Sequence, residues 1–102
     1  MTQDDQASVE ISHETEAQGG SYIAHVSGAD AMGRMTYKIK GDQIRVVEHT
    51  LVPPQIGGRG VAARLVDAIV ADAKEQGFRI DPQCSYVEAA FRKHPEWADI
   101  RA

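Results

Sequence analysis

The hydrophobic period of this chain changes once, across Pro53–Gly60, and that change constrains the fold more than any other feature. Before it, Gln43–Val52 carries Ile44, Val46, Val47, Leu51 and Val52 and reads as a strand. Pro53-Pro54 ends that strand, because proline has no N–H to give a ladder. After it, Val61, Leu65, Ile69 and Ala73 recur at every fourth position, flanked by Ala62, Val66 and Val70. That is one face of an amphipathic helix, with Arg64, Asp67, Asp72, Lys74 and Glu75 on its wet side and Gly77 as its C-cap. Between the two lie three glycines in four positions, Gly57, Gly58 and Gly60.

The rest of the chain reads around this pivot. Val9 with Ile11, and Tyr22, Ala24 and Val26, alternate as strands, separated by a turn over Glu14–Gly20. Met32–Ile39 is a third strand, joined to the fourth by a hairpin turn at Lys40-Gly41-Asp42-Gln43. Past the helix, Phe78–Ile80 is a short strand punctuated by Pro82, and a second helix runs from Ser85 to Lys93. Pro95 breaks that helix, and Trp97 with Ile100 folds back as a hydrophobic tail. The expected class is α+β: a mostly antiparallel mixed sheet with two principal helices. Residues 8–102 form a single domain after a disordered N-terminus at 1–7.

Composition removes several function classes. A net charge of −4 argues against binding a phosphate backbone, so no nucleic acid is expected. Only six residues are aromatic by the 6% count, without a stacking pattern. Cys84 is the one cysteine, which excludes an intrachain disulfide and fits a reducing compartment. No apolar run reaches membrane-span length, and Met1-Thr2-Gln3-Asp4-Asp5 is the reverse of a signal peptide, so the expectation is cytoplasmic with no membrane. His13 and His25 lack partners at metal-ligand spacing, and no metal is expected.

The glycines have a mechanical meaning. They let the backbone take positive φ and let a ligand approach without a Cβ in the way. A helix starting at Gly58–Gly60 aims free N–H groups and its positive dipole end at that ligand, which favours phosphate, and Arg59 adds a cation. The ordinary alternative is a tight turn with glycines for geometry only. The segment lacks the lysine-Ser/Thr ending of a P-loop, and the hairpins before it do not fit a dinucleotide-binding fold.

The run from His49 through Pro53-Pro54 and Gly57-Gly58-Arg59-Gly60 to Ala62 resembles the acetyl-coenzyme A signature of GCN5-related N-acetyltransferases. That signature is Arg/Gln-x-x-Gly-x-Gly/Ala between a long strand and a helix. The pairs His49-Thr50 and His94-Pro95, with Cys84, resemble the minimal single-domain branch of that superfamily. In the register set by the prolines, Gly57 takes the Arg/Gln position, with Gly60 and Ala62 at the small-residue positions. A second register, Gln55-x-x-Gly58-x-Gly60, fits the pattern but misplaces the prolines.

The resemblance implies a gap between the strand before the turn and the strand after the helix. The pantetheine arm would bond the backbone at Leu51 and Val52, and the pyrophosphate would sit over Gly58, Arg59, Gly60, Val61 and Ala62. Ser85, Phe91 and Arg92 would complete the coenzyme contacts. Arg92, Lys93 and His94 alternatively complement the dipole at a helix C-terminus. Cys84 would stand near the thioester, as a nucleophile or merely lining the cleft. His49 is the candidate base, set opposite in facing to Glu48 by strand alternation, or else a structural histidine. Tyr86 is the candidate acid toward the departing thiolate. The implied activity is transfer of acetyl from acetyl-CoA to a primary amine of a small molecule or protein, by a monomer or weak homodimer. The alternative is a non-catalytic coenzyme A or acyl-coenzyme A binding module.

Overall fold

The computed structural model describes residues 8–58 and 60–102. Its elements are β1 (Val9–Glu16), β2 (Gly19–Val26), β3 (Met32–Lys40), β4 (Ile44–Leu51), α1 (Val61–Gln76), β5 (Arg79–Pro82) and α2 (Ser85–Lys93). Tight 3-10 turns cover Pro54–Ile56 and Pro95–Ile100. The strands form one sheet in the order β1-β2-β3-β4-β5. The first four pair antiparallel through hairpins, and β5 joins β4 in parallel. A parallel neighbour needs a crossover, and α1 supplies it. The α+β class read from the sequence is the class observed. The N-terminal stretch 1–7, expected to be disordered, lies outside the described residues.

One face of the sheet carries the core. Tyr22, Ala24 and Val26 of β2, Met35 and Tyr37 of β3 and Val47 of β4 pack with Val61, Leu65, Val66, Ile69, Val70 and Ala73 of α1. The helix thus lies across β1, β2 and β3 along the stripe its period predicts. The second helix buries Val87 and Phe91, and Trp97 meets Phe91 edge-on at 5.2 Å between ring centres. Trp97 and Ile100 do fold back onto the core. The last residue ties down as well, its N–H donating to Ile80 O at 2.8 Å.

Three local expectations change. The first turn is not Glu14–Gly20, because β1 runs on to Glu16 and β2 begins at Gly19, leaving Ala17 and Gln18 between them. Gly19 and Gly20 are strand residues at a close approach. A Cβ on Gly20 would lie 2.5 Å from Glu14 O and 2.6 Å from the Tyr37 hydroxyl. The last strand is Arg79–Pro82 rather than Phe78–Ile80, with Pro82 as its final paired residue, where no N–H is needed. Asp72 is not on the wet face of α1. Its Oδ2 accepts from the Tyr22 hydroxyl at 2.7 Å.

That contact belongs to a part-buried polar cluster at the edge of the core. The His13 ring stacks on Tyr22 with centroids 4.1 Å apart, and its Nε2 shares a 2.7 Å hydrogen bond with the Tyr37 hydroxyl. Arg45 lays its guanidinium over Phe78 at 4.5 Å. Its buried Nη1 has no hydrogen-bond partner among the described residues, so the ring face is the compensating contact. Burial, and then the bond to Asp72, push the Tyr22 hydroxyl well above its ordinary value near 10.

The unfolded chain therefore ionises this tyrosine first, and stability present below pH ~10 declines as pH rises beyond it. Tyr22→Phe should lose about 1–2 kcal/mol at pH 8 and show a flatter decline in urea midpoint between pH 9.5 and 11. A decline as steep as the wild type's would remove Tyr22 as its cause. Gly20→Ala should lose about 1–3 kcal/mol in the same titrations at pH 8, because the Glu14 backbone cannot yield to a methyl group.

Candidate active site

Parallel pairing of β4 with β5 covers Ile44–Val47 against Arg79–Pro82 and goes no further. Val47 O accepts two N–H groups at the end of the ladder, from Gln83 and from Cys84, each at 3.0 Å. The chain then turns away into α2, while β4 continues to Leu51 bonded to β3 alone. The two strands part into an open cleft of ≈ 610 Å³ lined by Glu48, His49, Thr50, Leu51, Gln83, Cys84 and Ser85. Its rim includes Leu51, exposed at 68%.

A bulge decides which side chains reach each side of this cleft. Tyr37 pairs with Val47 and Thr36 with His49, so Glu48 is an extra residue in β4. Before the bulge Val47 faces the helices. After it the parity inverts, and Thr50, opposite the buried Met35, takes the helix side. His49, opposite Thr36, points to the uncovered face and is exposed.

Cys84 immediately precedes α2 and is half-buried. Its Sγ–H donates to Thr50 Oγ1 at 3.4 Å. Burial pushes the thiol up, but the Thr50 hydroxyl and then the backbone amides of Val87, Tyr86 and Thr50 favour the thiolate. The balance leaves Cys84 below the ordinary cysteine value. The α2 amides act through proximity and dipole here, since no side-chain cap hydrogen bond forms at Cys84.

The glycine turn lies after the free end of β4. Ile56, fully buried, anchors the 3-10 turn that follows the prolines. Gly57 has ordinary extended backbone at φ −70°. Gly58 and Gly60 are left-handed, at φ 75° and 72°, and a Cβ on either would meet nothing within 4 Å among the described residues. Bare backbone therefore faces open space. The helix begins at Val61, just past the expected Gly58–Gly60 start, because Gly60 is held left-handed as its N-cap. The first-turn amides have no intrahelical acceptor, and no acidic residue stands in that turn. This arrangement fits a pyrophosphate. Arg59, expected to contribute there, lies outside the described residues.

The remaining sequence-predicted residues separate. Leu51 and Ser85 line the cleft with His49 and Cys84, and Val52 is half-buried beside it. Tyr86 lies instead in a neighbouring groove of ≈ 240 Å³ between α1 and α2, with Asp67, Lys93, His94 and Trp97. Phe91 is a core residue, 5% exposed, and Arg92 pairs with Glu88 at 3.0 Å on the surface. Thr50 was readable only as half of the His49-Thr50 pair; its contact with Cys84 depends on the bulge. Among the described residues no cluster of His, Cys, Asp and Glu is arranged to hold a metal ion, and no helix is long and apolar enough to cross a membrane.

A family model described as GCN5-related N-acetyl-transferase matches residues 21–100 of the 102-residue chain. Comparison with curated proteins gives no match. The matched span holds most of β2, all of β3 to β5, both helices, the parted strands and the glycine turn. The chain belongs to the GCN5-related N-acetyltransferase family.

Proposed function

We propose that the protein transfers the acetyl group of acetyl-coenzyme A to a primary amine of a small molecule or protein, by way of Cys84. The observation that carries this reading is the place of Cys84. It stands where β4 and β5 part, on the lining shared with His49, Leu51 and Ser85. The pyrophosphate would rest on the bare backbone at Gly57, Gly58 and Gly60 and on the amides of Val61 and Ala62. The pantetheine arm would extend along Leu51 and Val52, whose β5-side backbone has no strand partner. The coenzyme supplies the activated acyl group as a thioester.

Cys84 attacks the acetyl carbonyl carbon as a thiolate. The Sγ–C bond forms as the carbon–sulfur bond to the coenzyme breaks, and the departing thiolate takes a proton from water. The amine then attacks acetyl-Cys84, forming the N–C bond and releasing the Cys84 thiolate. His49, on the uncovered face, accepts the ammonium proton and passes it to solvent. Tyr86 opens on the neighbouring groove, and this route assigns it no proton. Phe91 acts through packing, and Arg92, paired with Glu88 at the surface, is left outside this route. The open cleft suits an acceptor amine on a mobile side chain or a slender polyamine, and the unpaired cysteine suits the reducing cytoplasm.

Mass spectrometry after incubation with acetyl-coenzyme A tests this directly. Cys84→Ala should keep the native coenzyme adduct and lose the acetyl increment that survives denaturation. His49→Gln should keep the increment and turn over about 10²-fold more slowly. Unchanged turnover in both variants would favour other catalytic groups, and coenzyme binding without turnover in the wild type would leave a binding module.

Gly57 gives a test of register. Its backbone suits any residue, and a Cβ there stays 3.4 Å from its nearest neighbour, Pro54 O. Gly57→Gln should therefore fold normally and bind coenzyme A about 3–10-fold tighter in calorimetry, the value of one added hydrogen bond to phosphate. Weaker binding would point to the register that begins at Gln55.

A further inference from the structure

We propose that Thr50 is the positioning residue for Cys84, its hydroxyl fixing the sulfur in the cleft and holding the negative charge once the thiol is deprotonated. The inference deepens the proposed reaction and rests on Cys84 as the reacting thiol. Two independent constraints bring the pair together. Val47 O holds the Cys84 N–H at 3.0 Å, which sets the backbone from which the sulfur projects. The Glu48 bulge turns Thr50, rather than His49, to the helix side of β4. The Sγ–Oγ1 separation of 3.4 Å then lies within hydrogen-bond reach for sulfur.

The chemistry of a hydroxyl suits both states of the sulfur. In the neutral protein Sγ–H donates and Thr50 Oγ1 accepts. When the thiol loses its proton to solvent, the Thr50 O–H rotates and donates to Sγ, so the same contact becomes charge-assisted. A carboxylate at this position would repel the thiolate, and an aliphatic side chain would leave it to the α2 amides alone. The β-branched threonine also has few rotamers in a strand, so the hydroxyl is held near the sulfur.

The facing groups are few. Among the described residues lining the cleft, Glu48 and His49 are the other ionisable side chains. Glu48 Oε2 lies 3.7 Å from Lys38 Nζ, a surface pair that limits its effect on the sulfur. From α2, Glu88 is drawn to Arg92 and Arg101, at 3.0 and 3.6 Å. Thr50 is thus the side chain with a direct polar contact to Sγ among the described residues.

Cys84 is the one cysteine, so alkylation can be read as a single mass increment on the intact protein. Iodoacetamide rates between pH 5.5 and 10.5 would be compared for the wild type, Thr50→Ser and Thr50→Val. Thr50→Val should move the midpoint upward by about one pH unit and slow alkylation at pH 7 about five- to ten-fold. Its plateau rate at high pH should stay within about two-fold of the wild type's, as expected when access to the thiolate is unchanged. Thr50→Ser, which keeps the hydroxyl, should recover most of the shift. Overlapping wild-type and Thr50→Val profiles would overturn the proposal. So would a serine variant shifted as far as valine, or a lowered plateau with a fixed midpoint, since these mark packing rather than the hydroxyl. The readout uses no coenzyme. A profile shifted as expected, in a protein that acetyl-coenzyme A never acylates, would uphold Thr50 and sink the acetyl-cysteine route.

Discussion

One carbonyl closes the parallel ladder of this sheet. Val47 O takes the N–H of both Gln83 and Cys84, and beyond it β4 and β5 have no common register. A parallel strand normally continues its slanted hydrogen bonds for the length of its partner. Here the chain after Pro82 rises into α2 instead, so four residues of β4 keep one edge unpaired. Free backbone donors and acceptors, a thiol and a helix start are thereby gathered at one opening. The cleft follows from a strand that stops early, and no inserted loop or second domain is needed to make it.

Much of this architecture was legible because it rests on period and punctuation. The switch from alternation at Ile44–Val52 to fourfold spacing at Val61–Ala73 identifies both α1 and the strand it leaves. Ser85–Lys93 is bounded correctly because Pro95 stops it. What stayed hidden depends on contacts distant in sequence. The glycines at 19 and 20 look like a turn, and only Tyr37, packed against them from β3, shows that they make room. Asp72 reads as solvated because a helical wheel cannot show that Tyr22, fifty residues earlier, ends beneath it.

The site divides in the same way. The part proposed to hold phosphate is backbone, and glycines with a helix start write that into the sequence openly. The part proposed to react is a side-chain pair whose facing depends on one extra residue in β4. Alternation alone sets His49 against Glu48, but it cannot say where the count slips. The slip at Glu48 leaves His49 and Cys84 on one lining while giving the direct contact to Thr50. A single inserted residue thus sends the proposed base and the residue that touches the proposed nucleophile to opposite faces of β4.

The polar cluster at the far end of α1 has a mechanical consequence. Asp72 is fastened to Tyr22 eleven residues from the start of the helix, a span of about 17 Å along a stiff rod. The other end is held by core packing, through Val61 and Leu65. Were that fastening to slacken enough for a tilt of about ten degrees, the first turn would swing by about 3 Å. Displacements much smaller than that already spoil the alignment of reacting groups. The hydrogen bond between Tyr22 and Asp72 therefore adds a second fastening to a helix whose first turn is already seated in the core. In so small a protein, one helix joins both poles, so a change in its fastening at one end bears on the candidate site at the other.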